Sequence, residues 1–172
     1  MNLEAFKTNV LPVKNKLYRF AHRLLGDATE AQDVVQEVLI KVWRREDDLA
    51  KVENMEAWCM RITRNLAYDK LKSKHIRQTE AMPEGMETRI ATEENPHSST
   101  ETKDMIARIR QMMTRLPDKQ RQVMQLRDIE GYSYKEIGEI MDLDMNQVKV
   151  NLFRARKQIR TNLSKLTAYG LQ

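Results

Sequence analysis

Residues 148–160 read VKVNLFRARKQIR and carry five cations, Lys149, Arg154, Arg156, Lys157 and Arg160, with no acid among them. Guanidinium and ammonium groups at this density suit the phosphates of a nucleic acid. Apolar residues recur through the same run. On a helical wheel Val148, Leu152, Ala155, Ile159 and Leu163 share one narrow side, the stripe that a helix buries. Asn146, Gln147, Lys149, Val150, Phe153, Arg154, Lys157 and Arg160 lie around the rest. Val150 and Phe153 are apolar yet face outward, where a thymine methyl group or a sugar edge suits them. A solvated cationic face on a helix near the chain's end is the plainer alternative.

The residues before this run favour DNA. SYKE at 133–136 is a capping box for a short helix that holds Ile137, Ile140 and Met141. MDLD then turns the chain, and Asp144 with Gln147 makes a second capping box that opens the long last helix. A short helix, a tight turn and a basic helix form the helix-turn-helix pattern, in which the second helix lies in the DNA major groove. Its first residues reach base edges, and cations along it neutralise phosphates.

Two further surfaces carry chemistry. In the stretch AWCMRITRNLAYDKLKSKHIR, Arg61 and Arg64 precede Lys70, Lys72, Lys74 and Arg77, with Tyr68 among them. Cations interleaved with aromatics suit single-stranded or melted nucleic acid, where bases stack and phosphates pair. A solvated helix C-terminus favoured by the helix dipole accounts for Lys72 and Lys74, but less well for Arg61 and Arg64. Trp58 reads as core. On the preceding helix Asp33, Gln36, Glu37, Ile40 and Arg44 lie opposite the stripe Ala31, Val34, Val35, Val38 and Val42. Ile40 stands alone in that polar surface, either as an ordinary exposed residue or as the anchor of a protein interface.

The sequence carries no catalytic constellation. His22, His75 and His97 have no acidic or cysteine neighbours at metal-ligand spacing. There is no glycine-rich phosphate loop, and neither a metal nor a cofactor is expected. Cys59, the single cysteine, excludes an internal disulfide and fits a reducing cytoplasm. Beside Trp58 in a helix it reads as buried and inert. MNLEAFKTNV lacks the charged start and apolar stretch of a signal peptide, and no apolar run approaches the ~20 residues of a membrane span. A cytoplasmic protein without membrane insertion is expected.

The elements that position these surfaces are helices. In the 172 residues glycine (5) and proline (4) are scarce while helix-forming residues abound. Phe6, Val10, Val13, Leu17, Phe20 and Leu24 recur three or four apart, with Pro12 set to kink or restart the helix. Gly26 suits a left-handed cap, and Asp27 with Glu30 opens a second helix to about Arg45. Asn54 caps a third, to about Lys74, with Trp58, Ile62, Leu66 and Asp69 on one side. The C-terminal block opens with a helix over about 101–115 carrying Met105, Ile109 and Met112. Another begins at LPD (116–118), packs Val123, Met124 and Leu126 inside, and is closed by Gly131. The formal net charge of +5 is unevenly spread. Residues 1–80 hold 15 basic and 12 acidic side chains, 81–104 hold 2 and 6, and 105–172 hold 13 and 7. The acidic middle, AMPEGMETRIATEENPHSSTETKD, has no apolar periodicity and reads as a flexible linker.

DATEAQDVVQEVLIKVWR, then AWCMRITRNLAYDKLK, then LPDKQRQVMQLRDIEGYSYKEIGEIMDLDMNQVKVNLFRARKQIR together resemble an extracytoplasmic-function sigma factor of the sigma-70 family. The resemblance covers roughly residues 5–77 and 101–163, with two unrelated motif sets in the family's order. It implies an all-α protein of two small helical domains. Residues 5–77 would be region 2, 78–104 a linker and 105–165 region 4, with only a few residues before region 2 and no room for region 3. It implies a non-enzymatic subunit that binds the RNA polymerase core and initiates transcription at specific promoters. Asp33, Gln36, Glu37 and Ile40 take the places that dock on the beta-prime coiled coil, and region 4 is expected at the beta flap. The loop 46–54, with Asn54, would hold a flipped base of the minus-10 element, and Arg61, Arg64, Asn65 and Lys72 would contact the melted strand. Asn146, Gln147, Lys149, Val150, Phe153, Arg154 and Lys157 would read minus-35. Gln147, Val150 and Asn151 replace the family's usual Thr, Ser and Arg, which leaves the promoter sequence open. Many members are held by an anti-sigma partner. Two other readings of the residues remain: a dimeric helix-turn-helix regulator of duplex DNA, and a helical adaptor that binds only proteins.

Overall fold

A computed structural model of the chain describes residues 2–45, 51–81 and 100–170. The expected flipped-base loop, except for its last residues, and most of the expected linker lie outside the described residues. The order of elements is α1 (Leu3–Asn9), a 3-10 turn (Leu11–Val13), α2 (Lys14–Leu25), α3 (Ala28–Arg44), α4 (Met55–Ala81), α5 (Thr100–Thr114), α6 (Asp118–Met124), a π turn (Gln125–Ile129), α7 (Tyr134–Met141) and α8 (Met145–Gly170). The described residues contain no strand. The chain divides into two compact units, the first carried by α1 to α4.

In the first unit Pro12 acts as its chemistry requires. It has no N–H to donate, so α1 ends at Asn9 and the chain restarts through the 3-10 turn. Gly26 adopts φ 68° and closes α2, a left-handed conformation that costs glycine little. Asp27 then caps α3 by accepting from Glu30 N–H at 2.9 Å. The reciprocal half of the expected capping box is replaced, because the Glu30 carboxylate faces Lys74 Nζ at 3.8 Å. α2 packs on α3 and α4, and α3 packs on α4. The core is Val10, Val13, Leu17, Phe20, Ala21 and Leu25 with the valine-rich stripe of α3. Leu24, expected in that core, is half-buried.

α4 corrects the sequence reading twice. It continues past Lys74 to Ala81. Its buried face is Ala57, Cys59, Met60, Thr63 and Ala67, whereas Trp58, Ile62 and Leu66 are half-buried and Asp69 is exposed. Small side chains let α4 approach α2 and α3 closely, which turns the bulkier stripe to its flank. The buried Thr63 hydroxyl is satisfied by donating to the Cys59 carbonyl at 2.9 Å. Burial first, and Glu56 second, push the Cys59 thiol up to about 12, so at neutral pH it is neutral and unreactive.

The second unit is held by α8, on which α6 and α5 pack. Val148, Leu152, Ala155 and Ile159 are buried as expected, whereas Leu163, expected on the same stripe, is half-buried; each of the larger three buried residues contributes about 1.5–3 kcal/mol. Met113 and Leu116 take the place expected of Met105, which is 47% exposed. The π turn is an element that hydrophobic periodicity does not register. It buries Gln125 and Leu126, and Gln125 Nε2 has no hydrogen-bond partner among the described residues.

The turn between α7 and α8 is tight. Ser133 and Glu136 form the expected capping box, at 3.1 and 2.7 Å. Asp142 ends α7 at φ 55°, and Leu143 N–H donates to the Gly138 carbonyl at 3.0 Å. A Cβ on Gly138 would sit 2.7 Å from the Leu143 oxygen. Replacing glycine in a helix by alanine ordinarily gains up to about 1 kcal/mol. Here the collision with backbone costs about 1–3 kcal/mol. Gly138→Ala is therefore expected to lower the urea midpoint of the full chain followed by circular dichroism, and a raised midpoint would show that the turn yields freely.

Candidate nucleic-acid interface

α8 carries the most concentrated surface. Asn146, Gln147, Lys149, Val150, Phe153, Arg154 and Lys157 are all exposed, with Phe153 at 62%. The seven lie on one continuous side of the helix, opposite its buried stripe. An aromatic ring left this open, flanked by Lys149, Arg154 and Lys157, offers apolar contact inside a cationic field. The start of the helix is fixed by the reciprocal box that the sequence predicts. Gln147 N–H donates to Asp144 Oδ1 at 2.8 Å, and Asp144 N–H donates to Gln147 Oε1 at 3.0 Å. The Gln147 oxygen is thus occupied, leaving its amide N–H groups for a partner. Asn151 donates to the Gln147 carbonyl at 2.8 Å and is half-buried.

Arg156, which shares the LFRAR motif with Arg154, does different work. It grips Asp128 of the π turn through two hydrogen bonds, at 3.1 and 2.5 Å. That contact, ahead of smaller contributions, holds its guanidinium above its usual pKa. Next to Asp128, Arg127 donates to the Tyr132 carbonyl at 2.8 Å and lies 4.9 Å over the Tyr134 ring. These arginines brace α8 and the entry to α7. Sequence spacing alone does not separate Arg156 from Arg154, because the partner lies 28 residues away.

On α4, Arg61, Asn65 and Lys72 are exposed on one outward line. Arg64 is half-buried at its edge, its guanidinium 5.0 Å over the Tyr68 ring. Asn54 stands apart from them as the helix cap, its Oδ1 accepting from Ala57 N–H at 3.0 Å. The flank that Trp58 shares with Ile62 and Leu66 lines a cleft of about 290 Å³ with Arg61, Lys41 and Arg45. The sequence reading missed Lys41 and Arg45. Their four-residue spacing near the end of α3 was the available signal. On α3 itself, Asp33, Gln36, Glu37 and Ile40 form one exposed face with Ile40 at 49% exposure. Glu37 pairs with Lys41 at 3.2 Å. Trp43, also missed, is 41% exposed beside this face and meets Phe6 edge-on at 5.3 Å.

A capped helix-turn-helix with a cationic outer helix, joined in one chain to a second helical unit bearing its own basic face, defines an all-α protein of the helix-turn-helix class. Comparison with known proteins narrows the class. The family model for sigma-70 region 2 matches residues 10–76, and that for sigma-70 region 4 matches residues 106–159. The chain is 30% identical to the ECF RNA polymerase sigma factor SigW of Bacillus subtilis, over 95% of this chain and 91% of that protein. It is 32% identical to the ECF RNA polymerase sigma factor SigE of Mycolicibacterium smegmatis, over 88% of this chain but only 58% of the length of that relative. The structure of the sigma factor RpoE in complex with the anti-sigma factor NepR from Bartonella quintana matches at TM-score 0.79 and 25% identity, covering 94% of this chain and 98% of that one. The fold also matches CnrH, solved with the cytosolic domain of CnrY, at TM-score 0.67 and 22% identity, covering 95% and 90% of the two chains.

The chain belongs to the ECF family of RNA polymerase sigma factors. Its work is therefore transcription initiation with bacterial RNA polymerase, and it is not an enzyme. Among the described residues no helix is long and apolar enough to cross a membrane, and no group of acidic, histidine and cysteine side chains is arranged to hold a metal ion.

The capping oxygen of Gln147 and its amide donors can be tested apart. Asp144→Ala removes a helix cap and is expected to cost about 1 kcal/mol of stability. Gln147→Glu keeps the capping oxygen and removes the amide donors, so its urea midpoint is expected to match the parent chain. A large loss in Gln147→Glu would mean that the amide itself holds the turn.

Proposed function

We propose that the first unit captures and melts the minus-10 element while the second fixes register at minus-35, both on the polymerase. The observation that carries this reading is the exposure of seven named side chains on one side of α8, beyond a turn that leaves its buried stripe to the core. Lys149, Arg154 and Lys157 supply phosphate and base contacts, Gln147 and Asn146 hydrogen bonds, and Val150 and Phe153 apolar contact with thymine or sugar. Arg61, Arg64, Asn65 and Lys72 follow the melted strand along α4. Asn54 contributes by setting where α4 begins, and any base contact it makes comes from the same residue that caps the helix.

Asp33, Gln36, Glu37 and Ile40 dock on the beta-prime coiled coil, Ile40 as the apolar anchor within a polar rim, and the second unit engages the beta flap. The residue boundaries are 5–77 for region 2, 78–104 for the linker and 105–165 for region 4. The protein works in the cytoplasm, where the polymerase is. An anti-sigma protein is a further partner, as for the sigma factor RpoE solved in complex with the anti-sigma factor NepR.

Two DNA contacts on one tether, held on a shared platform, gain through effective concentration. The free chain is expected to bind promoter DNA weakly and the holoenzyme tightly, as measured by gel shift of the chain with and without core polymerase. Nanomolar, sequence-specific binding by the chain alone would overturn the tethered scheme in favour of a stand-alone regulator. Within the holoenzyme, Arg154→Ala is expected to weaken recognition of the minus-35 element by about 1–3 kcal/mol and to relax preference at one base position. Unaltered promoter choice would remove Arg154 from the reading set.

A further inference from the structure

Beside the exposed side of α8 lies a groove of about 650 Å³, and the surfaces described above leave most of it unused. Arg115, in the turn after α5, and Gln120, in the first turn of α6, line one wall. Arg154, Lys157, Gln158 and Asn162 of α8 line the other. The lining has three cations, several amides and no acid. Asp118, which follows Pro117 at the rim, is ion-paired with Arg121. Arg115, Arg154 and Lys157 are exposed and make no ion pair among the described residues.

This composition selects an anionic occupant that also accepts hydrogen bonds. Arg154 and Lys157 belong at once to the groove and to the outer side of α8, so its occupant is continuous with whatever α8 reads. A helix seated in the major groove has a sugar–phosphate strand on each side of it. We infer that this groove seats the strand bordering the bases that α8 reads, with Arg115 and Gln120 as phosphate contacts made from outside the helix-turn-helix. The inference rests on α8 binding duplex DNA and adds a second wall to that contact. An acidic peptide would satisfy the same cations but would draw nothing from their continuity with Asn146, Lys149 and Phe153.

The test uses holoenzyme formed by the full chain and core polymerase, with promoter duplex affinity followed by fluorescence anisotropy over a series of KCl concentrations. Each phosphate contact contributes about 0.9 to the slope of log K against log salt. Arg115→Ala is expected to make that slope shallower by about 1, with the same fold loss on matched and base-substituted minus-35 elements. Arg115→Lys is expected to restore the slope. Arg115 is exposed, and circular dichroism of each variant checks that its fold is retained. An unchanged slope in Arg115→Ala, while Lys149→Ala shallows it, overturns the phosphate assignment and leaves the reading of α8 intact. If neither variant moves the slope, α8 does not bind duplex DNA as described and both conclusions fall. A loss that appears only when another protein is added overturns the assignment in favour of an acidic protein partner.

Discussion

One helix has to serve two masters. α8 is anchored through Val148, Leu152, Ala155 and Ile159, a stripe so narrow that most of its circumference faces outward. The narrowness is what leaves the outward side chains between Asn146 and Lys157 exposed, and it is also why α8 needs bracing elsewhere. The Arg156–Asp128 grip, the Asp144–Gln147 cap and the close passage of Leu143 over Gly138 supply it. None of these is large alone. Exposed ion pairs contribute about 0–1 kcal/mol and a cap about 1 kcal/mol. Together they fix the angle and register of a helix whose hydrophobic contact alone would leave both loosely defined.

The first unit solves the same problem differently. α4 buries a face of small residues, Ala57, Cys59, Thr63 and Ala67, with Met60 as its one long side chain. Close approach to α2 and α3 secures the helix broadly, so the opposite side can carry Arg61, Asn65 and Lys72. Partly exposed pairs tie its ends, Lys16 with Glu56 at 2.7 Å and Lys74 with Glu30 at 3.8 Å. Their worth is register more than stability.

The sequence was most readable where one force acted alone. Caps are local chemistry, so the Ser133–Glu136 and Asp144–Gln147 boxes and the turn at Gly26 appear where their residue types demand. Apolar periodicity was reliable on α3 and α8, whose stripes are unambiguous. It misled on α4, because a stripe of Trp58, Ile62 and Leu66 looks more hydrophobic than one of alanine, cysteine and threonine. Packing distance, which decides between them, is a property of the neighbouring helices. The π turn and the Arg156–Asp128 pair were unreadable for a related reason. One depends on a single extra residue in a helical turn and the other on a contact 28 residues distant. The two motif sets in their shared order identified the family because they do not depend on such details.

The two tryptophans of the chain, Trp43 and Trp58, both fall in the first unit. One stands partly exposed beside Ile40 and the other lines the cleft with Arg61. The tryptophan emission of the native protein, excited where tyrosine hardly absorbs, therefore originates entirely from the first unit. A ligand settling on α3 beside Trp43, or in the cleft beside Trp58, would shift or quench that light. The molecule thus carries a built-in optical label on its first unit without any added dye.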